Sequence, residues 1–159
     1  MNRTLLLKPL AVITAVLFLS GCGAANHHSE GGSYKASQAV RAAYSQIGTK
    51  YKSGGASPSQ GFDCSGLVRW TYKSVGINLP RTAREQSLMG YRIMDVSKMR
   101  AGDIVAFRRS GGGYHTGIYI GDGKVMDSIY SGLRTISLSD WVSQNGRGWV
   151  VCGYPWDWR

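Results

Sequence analysis

The chain has 159 residues, 43% of them apolar and 18% charged, with 22 glycines. That suffices for one domain with a real core but not for two, and the mixture excludes a coiled coil or a disordered tail. The net charge of +10 narrows the binding partners to nucleic acid, an anionic membrane surface or an acidic polymer.

The basic residues are scattered, the densest group being Lys98, Arg100, Arg108 and Arg109. No zinc-finger or aromatic-basic RNA signature accompanies them, so nucleic acid is not an expected partner. Residues 1–21 read as an export signal. Arg3 and Lys8 form a positive start, and Pro9 to Leu19 is an uncharged, mostly apolar run. At about 1.5 Å per residue that run is far short of a ~30 Å hydrocarbon core. It ends in Leu19-Ser20-Gly21-Cys22, which resembles the bacterial lipoprotein cleavage box with Cys22 as the residue that takes the lipid. Each buried methylene of such a lipid contributes about 0.8 kcal/mol to membrane attachment. Gly rather than Asp at position 23 favours, by resemblance to Gram-negative lipoproteins, the periplasmic side of the outer membrane. Residues 22–35 are small and polar and read as a flexible tether. The His27-His28 pair inside it has no Cys or carboxylate at ligand spacing, so no metal site is expected.

The folded domain is expected over 36–159. Ser37 to Ile47 has helical spacing, with Val40, Tyr44 and Ile47 on one face and Gly48 at its end. A Gly/Ser loop follows, and a second helix is predicted from Cys64 to Val75, with Asp63 as N-cap and Gly76 as C′ residue. Thr82 and Glu85 signal a capping box for a short third helix. The period then changes. Residues 103–107, 115–120, 124–129, 133–137 and 148–154 read as short strands between Gly and Asp turns, with one or two helical turns at 139–144. Helices followed by strands predict an α+β domain with N-terminal helices packed on a small antiparallel sheet.

Three cysteines are present: Cys22, Cys64 and Cys152. A Cys64–Cys152 disulfide is one pairing an oxidising compartment allows. Against it, Cys152 lies in a strand-like apolar run as an ordinary core thiol, whereas Cys64 opens a helix. There the unpaired N–H groups and the positive end of the dipole favour a thiolate and a developing oxyanion. A nucleophilic Cys needs a base. His115 qualifies, since His27 and His28 fall in the tether. Asp127 is the candidate third group, to orient the imidazole. Its placement depends on strand register. A turn centred on Gly121 sets Asp127 opposite His115, whereas a two-residue Asp122-Gly123 turn puts Asp127 on the other face.

Several motifs, in this order, resemble the NlpC family of cell-wall cysteine peptidases. They are Gly48-Thr49-Lys50-Tyr51, Gly54-Gly55, Gly61-Phe62-Asp63-Cys64-Ser65-Gly66-Leu67-Val68, Leu79-Pro80-Arg81-Thr82, Gly102-Asp103-Ile104-Val105-Ala106-Phe107 and His115-Thr116-Gly117-Ile118-Tyr119-Ile120-Gly121. The resemblance implies a papain-like α+β fold and hydrolysis of amide bonds in peptidoglycan stem peptides or cross-links, without a cofactor. It makes Cys64 the nucleophile and His115 the base. It sets Tyr51 at the oxyanion site, and Asp63 and Ser65 where the substrate's free amine is held. Two positions depart from the family pattern. Asp127 stands where His, Asn or Gln is usual, and Ser53 stands where a bulkier residue is common. Two other functions fit the same residues: a non-catalytic wall-binding module, and an amidase or acyltransferase with the same Cys-His chemistry.

Overall fold

The computed structural model describes residues 27–90, 92–93, 95–109, 111–145 and 149–152. The expected export signal and Cys22 lie outside the described residues. Helix α1 (His27–Tyr44) is followed by a two-residue hairpin, β1 (Ala56–Ser57) and β2 (Gly61–Phe62), then by α2 (Cys64–Lys73) and α3 (Ala83–Gln86). Next come β3 (Arg92–Ile93), a 3₁₀ turn (Val96–Lys98), β4 (Ile104–Arg108), β5 (Tyr114–Gly121), β6 (Lys124–Ile129) and β7 (Gly132–Ser137). Helix α4 (Leu138–Asn145) and β8 (Trp149–Cys152) close the described chain. Among the described residues, no helix is long and apolar enough to cross a membrane.

The expected α+β order is the observed one, with the short β1, β2, β3 and 3₁₀ turn added to it and a different start to the first helix. Helix α1 begins at His27, so most of the stretch read as a flexible tether over 22–35 is helical. Gly31-Gly32, each worth about 1 kcal/mol against a helix, had suggested a later start. The stretch holds no proline, and its C-terminal half is anchored where Ala39 and Ala43 are buried and Ala36 and Val40 pack on the core.

Six strands form one antiparallel sheet in the order β3-β8-β4-β5-β6-β7. Alternation along the central strands divides the core in two. Ile104, Ile118 and Met126 pack with Leu67, Val68 and Tyr72 of α2. Val105, Phe107 and Val125 pack with Trp141 and Leu138 of α4. Burying a large apolar side chain of this kind contributes about 1.5–3 kcal/mol, so α2 and α4 are held from opposite sides of the sheet.

The β5–β6 hairpin combines parts of both expected registers. Gly121 pairs with Lys124 around a two-residue Asp122-Gly123 turn, and the positive φ of both (51° and 67°) fits a primed hairpin turn. The register then shifts between Tyr119 and Gly121, so Tyr119 pairs with Val125 and Ile118 with Met126. This β-bulge absorbs one residue. Continuing the ladder sets Gly117 opposite Asp127, and His115 lies two residues farther along the same face. The side chain of His115 reaches Asp127 diagonally, across a residue that has none. A Cβ on Gly117 would lie 2.8 Å from Val125 Cγ1, 2.9 Å from the Met126 carbonyl oxygen and 3.2 Å from Asp127 Cβ. Gly117→Ala is therefore expected to destabilise the domain by about 1–3 kcal/mol through overpacking. A lowered urea midpoint with an unchanged m-value would register it.

Candidate active site

Cys64 is the first residue of α2, and the local sequence explains why the helix starts there. The Asp63 backbone is extended (φ −86°, ψ 176°), and its Oδ1 accepts from the Gly66 N–H at 2.6 Å. The Gly54 N–H donates to Asp63 Oδ2 at 3.1 Å, and the Asp63 N–H to the Gly55 carbonyl at 3.0 Å. A methyl group on Gly66 would collide with that same carbonyl oxygen, so the Gly54-Gly55 loop fits closely against the first turn of α2. Cys64 is a free thiol and half-buried.

Arg81 engages both oxygens of Asp63, at 3.0 Å (Nη1 to Oδ1) and 2.6 Å (Nη2 to Oδ2), and donates to Ser65 Oγ at 3.0 Å. Burial pushes the Asp63 carboxyl up, but these bonds outweigh it and hold the group below the ordinary carboxylate range. Asp63 is thus ionised and already committed to capping and to Arg81. Ser65 is 5% exposed and donates to Asp63 Oδ1 at 3.2 Å.

The base comes from β5. His115 is buried between aromatic rings, with Phe107 at 5.3 Å and Trp141 at 6.1 Å between centroids. Its Nε2 lies 2.9 Å from Asp127 Oδ2. Since a carboxylate only accepts, Nε2 carries a proton and Nδ1 is left for the thiol. His115 and the backbone N–H of Thr116 both act on the Cys64 thiol in favour of its ionised form. Burial pushes the thiol pKa up, but the bond to His115 and its charge outweigh that, leaving Cys64 below the ordinary thiol range. For His115, burial pushes the pKa down, and the bonds to Asp127 and Cys64 raise it above the ordinary imidazole value. The two shifts run in opposite directions, each toward the charged form of its group.

Asp127 is fully buried and accepts from three side chains. Besides His115, Arg134 Nε donates to Oδ1 at 2.9 Å and Trp141 Nε1 donates to Oδ2 at 3.0 Å. Arg134 sits directly opposite Asp127 in the β6–β7 register. Burial pushes the Asp127 carboxyl up, but the bonds from His115 and Arg134 outweigh it and keep the group ionised. Asp127 thus places a buried negative charge beside His115, and Arg134 balances it.

Tyr51 lies within electrostatic reach of Cys64 and Asp63, and its ring packs against Tyr130 at 4.8 Å. Burial raises its pKa, with Tyr130, Cys64 and Asp63 adding to the effect, so the hydroxyl stays protonated and can donate. Ser53 lies close enough to the Tyr51 side chain to offset part of that rise. The structure thus brings Cys64, His115, Asp127, Tyr51, Asp63 and Ser65 into one neighbourhood. Among the described residues, no group of three or more His, Cys, Asp and Glu is placed to hold a metal ion.

The sequence reading gave no role to Arg81, Gln86, Arg134 or Trp141. Gln86 is fully buried, donates to the carbonyls of Ser65 (3.0 Å) and Pro80 (2.9 Å), and accepts from Thr116 Oγ1 at 3.1 Å. One side chain therefore ties the turn carrying the nucleophile to the strand carrying the base. A signal for it was present, since Gln86 follows the Thr82/Glu85 capping box that closes at the start of α3. Arg134 and Trp141 carried no comparable local signal.

The NlpC/P60 family model matches residues 48–147, which include every one of these side chains. The chain belongs to the NlpC/P60 family. Among its curated relatives is murein DD-endopeptidase MepH of Escherichia coli, 44% identical over an alignment of 105 positions that covers 60% of this chain and 37% of that protein. Bifunctional muramidase/DL-endopeptidase CwlT of Bacillus subtilis is 43% identical over 97 residues, 57% of this chain and 28% of that protein. Both relatives are much longer, and the chain spans only 37% of the one and 28% of the other. The solved structure of NlpC1 from Trichomonas vaginalis superposes with a TM-score of 0.68 at 26% identity, covering 75% of this chain and 44% of that one. These likenesses agree with a papain-like α+β NlpC/P60 domain, the fold that the motif order implied.

Proposed function

We propose that the protein is a peptidoglycan endopeptidase that cleaves amide bonds in stem peptides or cross-links by cysteine catalysis. The observation that carries this reading is the Cys64–His115–Asp127 chain, with its paired thiolate and imidazolium shifts and its position at the start of α2. The Cys64 thiolate attacks the carbonyl carbon. The backbone N–H at the start of α2 and the Tyr51 hydroxyl hold the resulting oxyanion. The C–N bond breaks as His115 gives its proton to the leaving amine, producing a thioester on Cys64. Water, deprotonated by His115, then attacks the thioester, releases the carboxylic acid and restores the thiol. The names of MepH and CwlT, both endopeptidases, support the substrate class. Asp63 and Ser65 shape the wall of the cleft through Arg81.

The same proposal includes a lipid on Cys22 that holds the domain at the periplasmic side of the outer membrane, supported by the Leu19-Ser20-Gly21-Cys22 box. Radiolabelled palmitate is expected to enter the wild-type chain in cells and not its Cys22→Ala variant. Equal labelling of both would refute the anchor.

The catalytic reading is tested by mass spectrometry of purified peptidoglycan fragments incubated with the chain and with its Cys64→Ala variant. A cleavage product formed by the wild type alone identifies both the activity and the bond. No product from either, on cross-linked and uncross-linked fragments alike, would favour a binding module.

A further inference from the structure

At one edge of the sheet, β3 and the 3₁₀ turn after it line a cavity of about 620 Å³. Among the described residues, the cations Arg92, Lys98 and Arg100 line it with the carboxylate Asp95. The backbone sets this arrangement. Ile93 and Met99 are buried in the core shared with Val105 and Phe107, and alternation turns their neighbours Arg92, Lys98 and Arg100 outward. The Arg100 N–H donates to Asp103 Oδ2 at 2.7 Å, which fixes the chain where it leaves the turn. The carboxylate is partly occupied, since Asp95 Oδ1 accepts from the Ser97 N–H at 2.9 Å and the Ser97 hydroxyl at 2.7 Å. Arg92 and Lys98, both exposed, therefore place positive charge on this part of the lining, on a held scaffold. It is also separate from the catalytic side chains. In the strand order β3-β8-β4-β5 it lies three steps from the strand of His115, or about 14 Å at ~4.8 Å per step.

We propose that this basic cavity is a second hold on the substrate, binding carboxylate groups of an intact peptidoglycan strand away from the bond being cut. The proposal rests on the peptidoglycan reading above. A soluble peptide of two or three residues, at up to about 3.6 Å per residue, is too short to reach both places, whereas a polymer can, so the cavity acts on the intact wall and not on such fragments. Its contribution is electrostatic and falls with salt.

The test uses the chain, its Arg92→Ala/Lys98→Ala variant and a charge-preserving Arg92→Lys/Lys98→Arg variant. Three measurements are made: co-sedimentation with purified sacculi, co-sedimentation with phosphatidylglycerol vesicles, and cleavage of a short soluble stem-peptide fragment. The alanine variant is expected to bind sacculi about tenfold more weakly at low salt. Its fragment cleavage should equal that of the wild type, which also shows that it is folded, and the charge-preserving variant should bind as the wild type does. Unchanged sacculus binding by the alanine variant would overturn the proposal, as would a loss confined to the vesicles. If the wild type cleaves no fragment, the endopeptidase reading fails by itself, and the sedimentation result still decides whether the cavity holds the wall.

Discussion

Replacing Asp127 by Asn is expected to lower kcat by about 10²–10⁴-fold and to destabilise the domain by about 2–4 kcal/mol. Both effects come from one buried group with three donors aimed at it. Asp127 Oδ2 accepts from His115 and Trp141, and Oδ1 from Arg134. An amide has one accepting oxygen and one donating nitrogen, so in either orientation at least one donor faces another donor. If the amide nitrogen meets His115, Nε2 must become the acceptor and the proton moves to Nδ1. The ring nitrogen facing Cys64 can then no longer take the thiol's proton. Arg134, whose side chain is 28% exposed, loses its counter-charge in either orientation. Urea denaturation measures the stability loss, and fragment turnover measures the loss of rate. The stability loss also depends on pH. Asp127 is held below the ordinary carboxylate range, because the bonds from His115 and Arg134 outweigh the upward push of burial. Its ionised form therefore contributes stability above its unfolded pKa of about 3.9, and that contribution is lost as pH falls through the lower folded value. The stability gap between wild type and Asp127→Asn is expected to narrow as pH drops below about 4.

The other large effect is that of Cys64→Ala, which is expected to reduce fragment turnover by about 10⁴-fold or more, to background. The thiol is half-buried and caps nothing, since the cap of α2 is Asp63. The change is therefore expected to leave stability within about 1 kcal/mol of the wild type. A dead but fully folded variant separates chemistry from structure. A variant that keeps turning over would remove Cys64 from the mechanism.

The nucleophile was legible because its signals are local. Asp63 as N-cap, the helix that opens at Cys64 and the Thr82/Glu85 capping box all involve residues within four positions of one another, and the structure shows each of them. His115 followed by elimination, since the other two histidines lie near the front of the chain. Asp127 was only half legible. Its role required a register, and the observed register joins the two-residue turn of one expectation to the His115 face of the other through a bulge at Ile120. Such a bulge has no sequence signature, but Gly117 was a clue in hindsight, because any side chain there would block the diagonal contact. Arg134 and Trp141 were illegible for a related reason, and of Gln86 only its place in the capped α3 was legible, not its partners. Their partners lie 7, 14, 21 and 30 positions away, and pairings at such separations are set by sheet register and helix docking. The β1–β2 hairpin and β3, at two residues each, are too short to show a period.

The account rests on a Cys64 thiolate sustained by His115. The measurement that tests this most directly is the pH dependence of the rate at which iodoacetamide alkylates Cys64, in the wild type and in His115→Ala, with the site read by peptide mass spectrometry. The wild type is expected to stay reactive well below the ordinary thiol pKa of about 8.5 and to lose reactivity only at lower pH. In His115→Ala the curve should move up to or beyond the ordinary range, because burial then acts on the thiol without its partner. An ordinary thiol titration in the wild type, or the same curve for both proteins, would contradict the thiolate–imidazolium pair and the mechanism built on it.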